Sequence, residues 1–460
     1  MKQQLLPLFA AGAAALYVPF LGVKEKQLLP IAEDHLGKNV LSKVQDSWDD
    51  SASSIYSSLI EKHIIEELED TLNKDKHHKH HDHDHDHGPH HPPGDTSKSI
   101  YELIKESKHS ERFAKIIDEH DDIKKLLNNT DGINKHNYTI FVPTDKAFER
   151  CPHHPDHPPP EEVVRHMLQH HILPYHFHTL TFPHLLPSLH TLPTELHSPL
   201  LDHRRQRLRL STSPLFFGHG GVRVNFVNRV VMPDIYASNG LIHAVDGILF
   251  PPPTALKGVS LLPTLFSTFS LALEKTGLGE ELGHGKGLTL FAPTNRAFAR
   301  LGPRLNAFLF NTERGKKYLK AILKYHFVPA HTVYSDAYYK AGDDDDDKSM
   351  EPDNTSHCCP PTHYDLPTLL SEDARLGVDI KNWRGYTTMV VNGFNRPSVL
   401  DGPAADGVIH VVSSVLIPPR RGNGGMTEEE EIGEMSVDEL VARLEPYIEE
   451  SSEQPHSGDL

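Results

Sequence analysis

Cysteine is nearly absent from this chain. Only Cys151, Cys358 and Cys359 occur in 460 residues, too few for the dense disulfide framework that stabilises small secreted domains. Neighbouring cysteines bridge one another only under strain. The open pairings are therefore Cys151 with Cys358 or with Cys359, each leaving one thiol over. Positive charge is also in deficit. The 46 Lys and Arg stand against 63 Asp and Glu, a net charge of −17, which excludes nucleic acid as a partner because phosphate neutralisation needs a basic surface. The short basic run His203-Arg204-Arg205-Gln206-Arg207 lacks interleaved aromatics and reads as a solvated loop. Catalytic signatures are missing too. There is no Gly-x-Ser-x-Gly elbow, no His-Glu-x-x-His and no EF-hand calcium loop, so the expectation is a protein that is not an enzyme.

One long apolar run is present, Leu5 to Leu21, just after Lys2. It falls short of the ~20 residues that span a bilayer and is broken by Pro7 and Pro19. It reads as a secretory signal over 1–22, and no later stretch could span a membrane once it is removed. Sequons at Asn128, Asn137 and Asn354 fit export and glycosylation. The expected location is extracellular or cell wall, with a vacuole as the alternative.

Residues 23–75 form a polar leader. Within it Leu41, Val44, Trp48, Ile55 and Leu59 recur at helical steps. This face either packs on the following domain or serves self-association. Residues 76–95 are a His- and Asp-rich linker that cannot bury apolar surface. In its HDHDHDH alternation, His81, His83, His85 and His87 fall on one side of an extended chain. Imidazole and carboxylate suit Zn²⁺, Cu²⁺ or Ni²⁺, so adventitious metal binding is expected there, with no cofactor required. His357, Cys358, Cys359 and His363 are a second candidate metal cluster, and the Asp343–Asp347 run is read as solvated charge.

The chain then says almost the same thing twice. TIFVPTDKAF at 139–148 returns as TLFAPTNRAF at 289–298, and NGLIHAVDGILFPP at 239–252 returns as DGVIHVVSSVLIPP at 406–419. The order one, two, one, two marks a tandem duplication. The second copy is longer, which fits a polar insertion around 341–363.

Each copy alternates helical and strand patterns. A helical stretch from Ile100 to Leu127 precedes the first TIFVP strand, whose apolar residues on both faces predict burial between layers. Thr144-Asp145 and Thr294-Asn295 sit where strand passes to helix and can cap the first turn. At 163–174 and 318–329 a helix is expected to run into a short apolar segment, with Pro174 and Pro329 as the stops. Asn239-Gly240 and Asp406-Gly407 predict tight turns with positive φ. His243 and His410 stand in apolar strands without a nucleophile or acid partner at a legible spacing, and read as hydrogen-bonded structural histidines. The fold class is α+β. Beyond 420 the tail is acidic, and Ser436 with Glu439 forms a capping box before Val437, Leu440, Val441 and Leu444.

The pattern T-x-F-x-P-T-[DN]-x-A-F, then a helix ending in [YH]-H-x-x-P, then [ND]-G-x-I-H-x-V-x-x-x-L-x-P-P resembles the fasciclin-like domain, over about 96–253 and 258–420. The chain is similar to secreted fungal members. The resemblance implies two wedges of β-strands with flanking helices, non-catalytic adhesion or matrix roles, and a cell-surface protein, matrix protein or cell-wall glycan as partner. It also implies a place for Tyr325-His326 at an adhesive surface, with packing of both side chains at the helix end as the open alternative. The first copy has His170-His171 there, without the tyrosine. Residues 175–215 fit the family poorly, so the middle of the first copy is expected to be degenerate. The Pro251–Pro253 joint is expected to separate the two domains.

Overall fold

A computed structural model describes residues 94–129, 137–149, 159–178, 188–213, 221–282, 287–342, 362–383, 386–419 and 435–450. Both repeats fall within one compact unit, Trp48–Leu460. The expected signal segment, the whole leader, nearly all of the His-rich linker, the Asp343–Asp347 run, Asn354 and the three cysteines lie outside the described residues.

The first repeat opens with α1 (Ile100–Glu106), α2 (Glu111–Asp118) and α3 (Asp121–Leu127). Ser99 and Glu102 form a reciprocal capping box on α1, satisfying two orphan donors of its first turn. Strand β1 (Tyr138–Pro143) leads to α4 (Asp145–Glu149), α5 (Glu161–His170) and the short β2 (Ile172–Leu173). Strands β3 (Ser188–His197), β4 (Arg205–Ser213), β5 (Gly221–Val224), β6 (Asn228–Ala237) and β7 (Gly240–Val245) complete a seven-stranded sheet. Its order is β2-β1-β7-β6-β5-β4-β3. The TIFVP strand is buried on both faces, as its composition predicts. Ile140 and Val142 enter a core with α1–α3, while Phe141 enters a second core with Leu192, Leu208 and Leu210.

The second repeat begins with α6 (Ala255–Ser260), α7 (Pro263–Thr276) and α8 (Leu278–Glu281). Next come β8 (Leu288–Pro293), α9 (Asn295–Arg300), α10 (Gly302–Asn311), α11 (Glu313–Tyr325) and β9 (Phe327–Pro329). A hairpin of β10 (His331–Val333) and β11 (Tyr338–Lys340) follows, then β12 (Thr362–Leu366), β13 (Leu376–Trp383), β14 (Tyr386–Val391), β15 (Val399–Ala404) and β16 (Gly407–Val412). The orders β15-β16-β8-β9 and β12-β13-β14 repeat the first sheet, opened between β14 and β15. The tail contributes α12 (Val437–Glu450), capped by Ser436 Oγ on Glu439 N at 3.1 Å. Leu440 and Leu444 enter the core of the second repeat, so this part of the tail belongs to the domain.

Several expectations are corrected. The helices end at His170 and Tyr325, before the prolines, and short strands β2 and β9 intervene. Both dipeptides form the expected tight turns and Gly240 has φ 154°, but Gly407 has no positive φ, and both glycines also serve close approach. A Cβ at Gly240 or Gly407 would stand 1.9 Å from the carbonyl oxygen of Tyr138 or Leu288 across the parallel pairs β1–β7 and β8–β16. The middle of the first repeat is not degenerate, because β3 pairs β4 antiparallel from Ser188 to His197. Pro193 is accommodated where that register shifts. Asp145 does not cap its own helix; its carboxylate accepts from Glu111 N at 3.2 Å and Arg112 N at 2.9 Å, capping α2.

The basic run is also not a solvated loop. From Arg205 it forms β4, and Gln206, Arg207 and Arg209 are buried against the second repeat. Gln206 Nε2 donates to Ala404 O at 3.0 Å, Arg209 Nε to Leu400 O at 2.9 Å, and Arg207 Nη1 to Tyr339 Oη at 2.5 Å. Ser198 Oγ donates to Ala405 O at 2.7 Å and Gly287 N to Leu200 O at 2.8 Å. Phe226, on the turn between β5 and β6, belongs to the main core of the second repeat. The proline joint is tied in as well, with Pro253 O accepting from Ala405 N at 2.9 Å. The two repeats therefore share a buried polar seam in addition to the Pro251–Pro253 joint.

Candidate functional site

Each repeat buries two histidines in the same two arrangements. At the end of α5, His171 Nδ1–H donates to Met167 O at 2.7 Å, and Nε2 accepts from Leu249 N at 3.0 Å. At the end of α11, His326 Nδ1–H donates to Ile322 O at 2.8 Å, and Nε2 accepts from Leu416 N at 3.0 Å. The helix C-terminus leaves carbonyls without intrahelical donors, and the imidazole satisfies one while fixing the irregular segment that follows β7 or β16 within the second motif.

The motif histidines use the opposite tautomer. His243 Nδ1 accepts from Asp234 N at 3.0 Å and Nε2–H donates to Phe177 O at 3.0 Å. His410 Nδ1 accepts from Asp401 N at 3.3 Å and Nε2–H donates to Val333 O at 2.8 Å. Asp234 and Asp401 have φ of 53° and 59°. They stand beside register shifts in the ladders β6–β7 and β15–β16, so each histidine binds a backbone N–H that the bulge takes out of the ladder. The structural reading of His243 and His410 is the arrangement seen. Burial holds all four rings neutral, lowering each pKa to about 4. Both nitrogens of each ring are engaged by backbone groups, so these rings serve as structural hydrogen-bonding groups.

The Tyr325-His326 pair expected at an adhesive surface is fully buried, and that expectation is corrected. Tyr325 Oη donates to Arg375 O and accepts from Asn392 Nδ2, both at 3.1 Å, which ties α11 to β13 and the turn after β14. Burial pushes its phenol pKa up. His170, its counterpart, is equally buried but neither ring nitrogen has a hydrogen-bond partner. Burial lowers its pKa to about 3.

Of the sequons, Asn128 and Asn137 are exposed. Asn128 Oδ1 accepts from Ser99 Oγ at 2.7 Å. From the proposed His-Cys cluster only His363 is described. It lies exposed between Asp379 at 2.8 Å and Asp365 at 3.3 Å, and its hydrogen bond to Asp379 raises its pKa. Among the described residues no group of three or more His, Cys, Asp or Glu is placed to hold a metal ion. The hollow at the seam, lined by Leu201, Arg205, Tyr334 and Tyr339 among others, has about 10 Å³ of room, roughly that of one water and too little for a sugar ring.

Sequence reasoning missed Asp234, Asp401, Asp336, Arg207, Arg209 and Phe226. One signal was available: Asp234 precedes His243 by nine residues, and Asp401 precedes His410 by nine. Nothing comparable marks Phe226, whose counterpart in the second repeat is a glycine.

Two helix-flanked β repeats with matched buried histidines define a tandem pair of one α+β module. The Fasciclin domain model matches residues 108–251 and 264–418, and the chain belongs to the fasciclin domain family. It is 28% identical over 386 residues to Aurofusarin biosynthesis cluster protein S of Gibberella zeae, covering 78% of this chain and 89% of that one. To human Periostin it is 27% identical over 215 residues, which cover 44% of this chain and 21% of the relative. To the Fasciclin-like arabinogalactan protein of Arthroderma benhamiae it is 26% identical over 195 residues, 42% of this chain and 37% of the relative. The chain thus spans well under half the length of the last two. Fasciclin-domain proteins are adhesion-related, extracellular or matrix proteins whose modules are non-enzymatic. No described helix is long and apolar enough to cross a membrane.

Proposed function

We propose that this is a secreted, non-enzymatic adhesion protein of the matrix or cell wall, acting through its two fasciclin modules. The observation that carries this reading is the pair of complete modules joined along a buried seam, with their histidines spent on structural hydrogen bonds. A rigid pair presents surface without the ordering penalty of a flexible tandem. The partner proposed is a surface protein, a matrix protein or a wall glycan. The test is recovery of the purified full chain on cell-wall and matrix fractions, compared with unrelated secreted proteins of similar charge. Failure to bind any fraction overturns it.

A second reading is supported by one observation. The relative that this chain matches over most of both lengths bears the name of a biosynthesis cluster, whereas the Periostin match is confined to a fifth of that protein. On this reading the chain is a non-catalytic accessory to biosynthetic enzymes. Deleting its gene would then change a secreted metabolite while leaving adhesion intact. A third reading, extracellular binding of divalent metal by His81, His83, His85 and His87, rests on composition. Calorimetric titration of the full chain with Zn²⁺, Cu²⁺ and Ni²⁺, before and after replacing those histidines, decides it.

A further inference from the structure

Three aromatic rings meet on the second repeat, on strands that flank its insertion. Tyr338 opens β11 opposite Val333 of β10, which makes His331 its diagonal neighbour across the hairpin. With the His331 proton on Nε2, the Tyr338 hydroxyl donates to His331 Nδ1 at 2.6 Å. Tyr364 comes from β12, in a different sheet. Its ring centroid lies 4.9 Å from that of Tyr338, with the planes 29° apart. Rings in contact stand ~3.5–4 Å apart, so a near-parallel pair at this centroid distance is offset, and the edge of each ring overlaps the other. Tyr338 is 36% exposed, and Tyr364 is half-buried against the core that holds Leu366 and Leu376.

This grouping suits one-electron chemistry. A phenol that loses an electron becomes strongly acidic, and a base already hydrogen-bonded to the hydroxyl takes its proton without rearrangement. His331 is that base for Tyr338. The unpaired electron of the resulting radical spreads to the ring carbons ortho to the oxygen. A second phenol ring held in contact is then a reaction partner already in place. The other close tyrosine pair, Tyr334 and Tyr339, lacks these features. Its rings meet edge to face at 6.2 Å and Tyr334 is buried. The Tyr339 hydroxyl accepts from Arg207, a cation that takes no proton.

We propose that Tyr338 and Tyr364 form a site of oxidative cross-linking, joined as a dityrosine by hydrogen peroxide acting through a haem peroxidase. The step balances. Each phenol loses one electron and its hydroxyl proton, that of Tyr338 going to His331. One carbon–carbon bond forms between ortho carbons of the two rings. The hydrogens on those carbons move to the oxygens and restore both phenols. The two electrons and two protons removed reduce one peroxide to two waters. The new bond ties the β10–β11 hairpin to the sheet of β12, β13 and β14 and closes the insertion between them into a loop. Such a link constrains the unfolded chain as a disulfide does, in a protein with only three cysteines. The site needs the secretion proposed above only for its supply of oxidant. Its chemistry is read on the purified chain, so its failure leaves the adhesion reading standing.

The test treats the purified full chain, dilute enough that copies seldom meet, with hydrogen peroxide and a haem peroxidase. The monomer fraction should gain dityrosine fluorescence and lose the mass of two hydrogens. Digestion should then yield the peptide of Tyr338 joined to the peptide of Tyr364, and the melting temperature should rise. Tyr338→Phe and Tyr364→Phe each keep a ring in the stack and should abolish that product. His331→Phe keeps an aromatic neighbour without the base and should slow the linking several-fold at an unchanged melting temperature. Met232, half-exposed, reports by its sulfoxide that oxidant has reached the chain. No link when Met232 is oxidised, a link confined to dimers, or a link that survives both tyrosine variants overturns the proposal. An unchanged rate in His331→Phe overturns the part given to His331.

Discussion

The guanidinium of Arg209 lies 4.0 Å from the ring centroid of Phe226, and the two together key the first repeat into the second. Arg209 Nε also donates to Leu400 O across the seam. Phe226 sits at φ 71°, in the left-handed region, where a bulky side chain is strained. That backbone aims the ring out of its own sheet and into the core formed by α6, α7 and α11. Burial of the ring offsets the strain.

Phe226→Ala should therefore destabilise the whole chain by about 3–5 kcal/mol, the usual loss for a buried ring. Urea unfolding followed by fluorescence and circular dichroism would measure it. The variant should also separate one transition into two, since the seam loses its apolar anchor while each repeat keeps its own sheet. A loss below ~1 kcal/mol with a single transition would show that polar contacts alone hold the seam.

Tyr325→Phe and Tyr325→Ala probe the other corrected site. The phenol bonds Arg375 O and Asn392 Nδ2, so Tyr325→Phe should lose about 1–3 kcal/mol through two unsatisfied groups. Tyr325→Ala adds a cavity and should lose more, about 3–5 kcal/mol. Any loss of surface binding should track thermal stability in both variants. Binding lost at an unchanged melting temperature would mean that the ring reaches a partner, contrary to its burial.

Much of this architecture was legible because each repeat carries strong local signals. TIFVP and TLFAP announce strands buried on both faces, and the box at Ser436 announces a helix start, whereas the box at Ser99 went unread. His243 and His410 were read correctly because apolar flanks leave a polar ring only one use. The seam was not legible. Arg207 and Arg209 look like surface charges until a second domain covers them, and burial created by tertiary contact leaves no periodic trace along the chain. Tyr325 was misread for the same reason: an amphipathic residue at a helix end suits a core and a surface equally. The motif glycines were read in part: the tight turns are present, but the further constraint, a carbonyl on a neighbouring parallel strand, was not visible in Asn-Gly or Asp-Gly.

Gly240→Ala and Gly407→Ala should each be severe. A new methyl would overlap the carbonyl of Tyr138 or Leu288, and these are backbone atoms inside a parallel ladder, so no side-chain rotation relieves the clash. A loss above ~3 kcal/mol is expected in each case, read as failed expression or a much lower unfolding midpoint. Gly393→Ala is the comparison: it has φ 86° but open space around it. That variant carries only left-handed strain and should lose about 1–2 kcal/mol.

Acid should unfold this protein through its buried histidines. His171, His243, His326 and His410 are held near pKa 4 by burial, against about 6.5 in an unfolded chain. A base whose folded pKa is lowered contributes stability that is present above the unfolded value and lost as pH falls toward the folded one. The window is therefore pH 6.5 down to about 4. Each ring accounts for up to about 3 kcal/mol across it. Asp401, whose pKa burial raises to about 7, runs the other way over nearly the same range, but it is one group against these four and His170, which burial also lowers. Net stability should thus fall steeply below pH 6. His410→Gln removes one titrating ring while leaving a donor and an acceptor. It should lower stability at pH 7.5 yet make the decline between pH 6.5 and 4.5 shallower than in the wild type. Chemical denaturation at a series of pH values measures both slopes. Parallel curves for the two proteins would show that His410 does not titrate on unfolding.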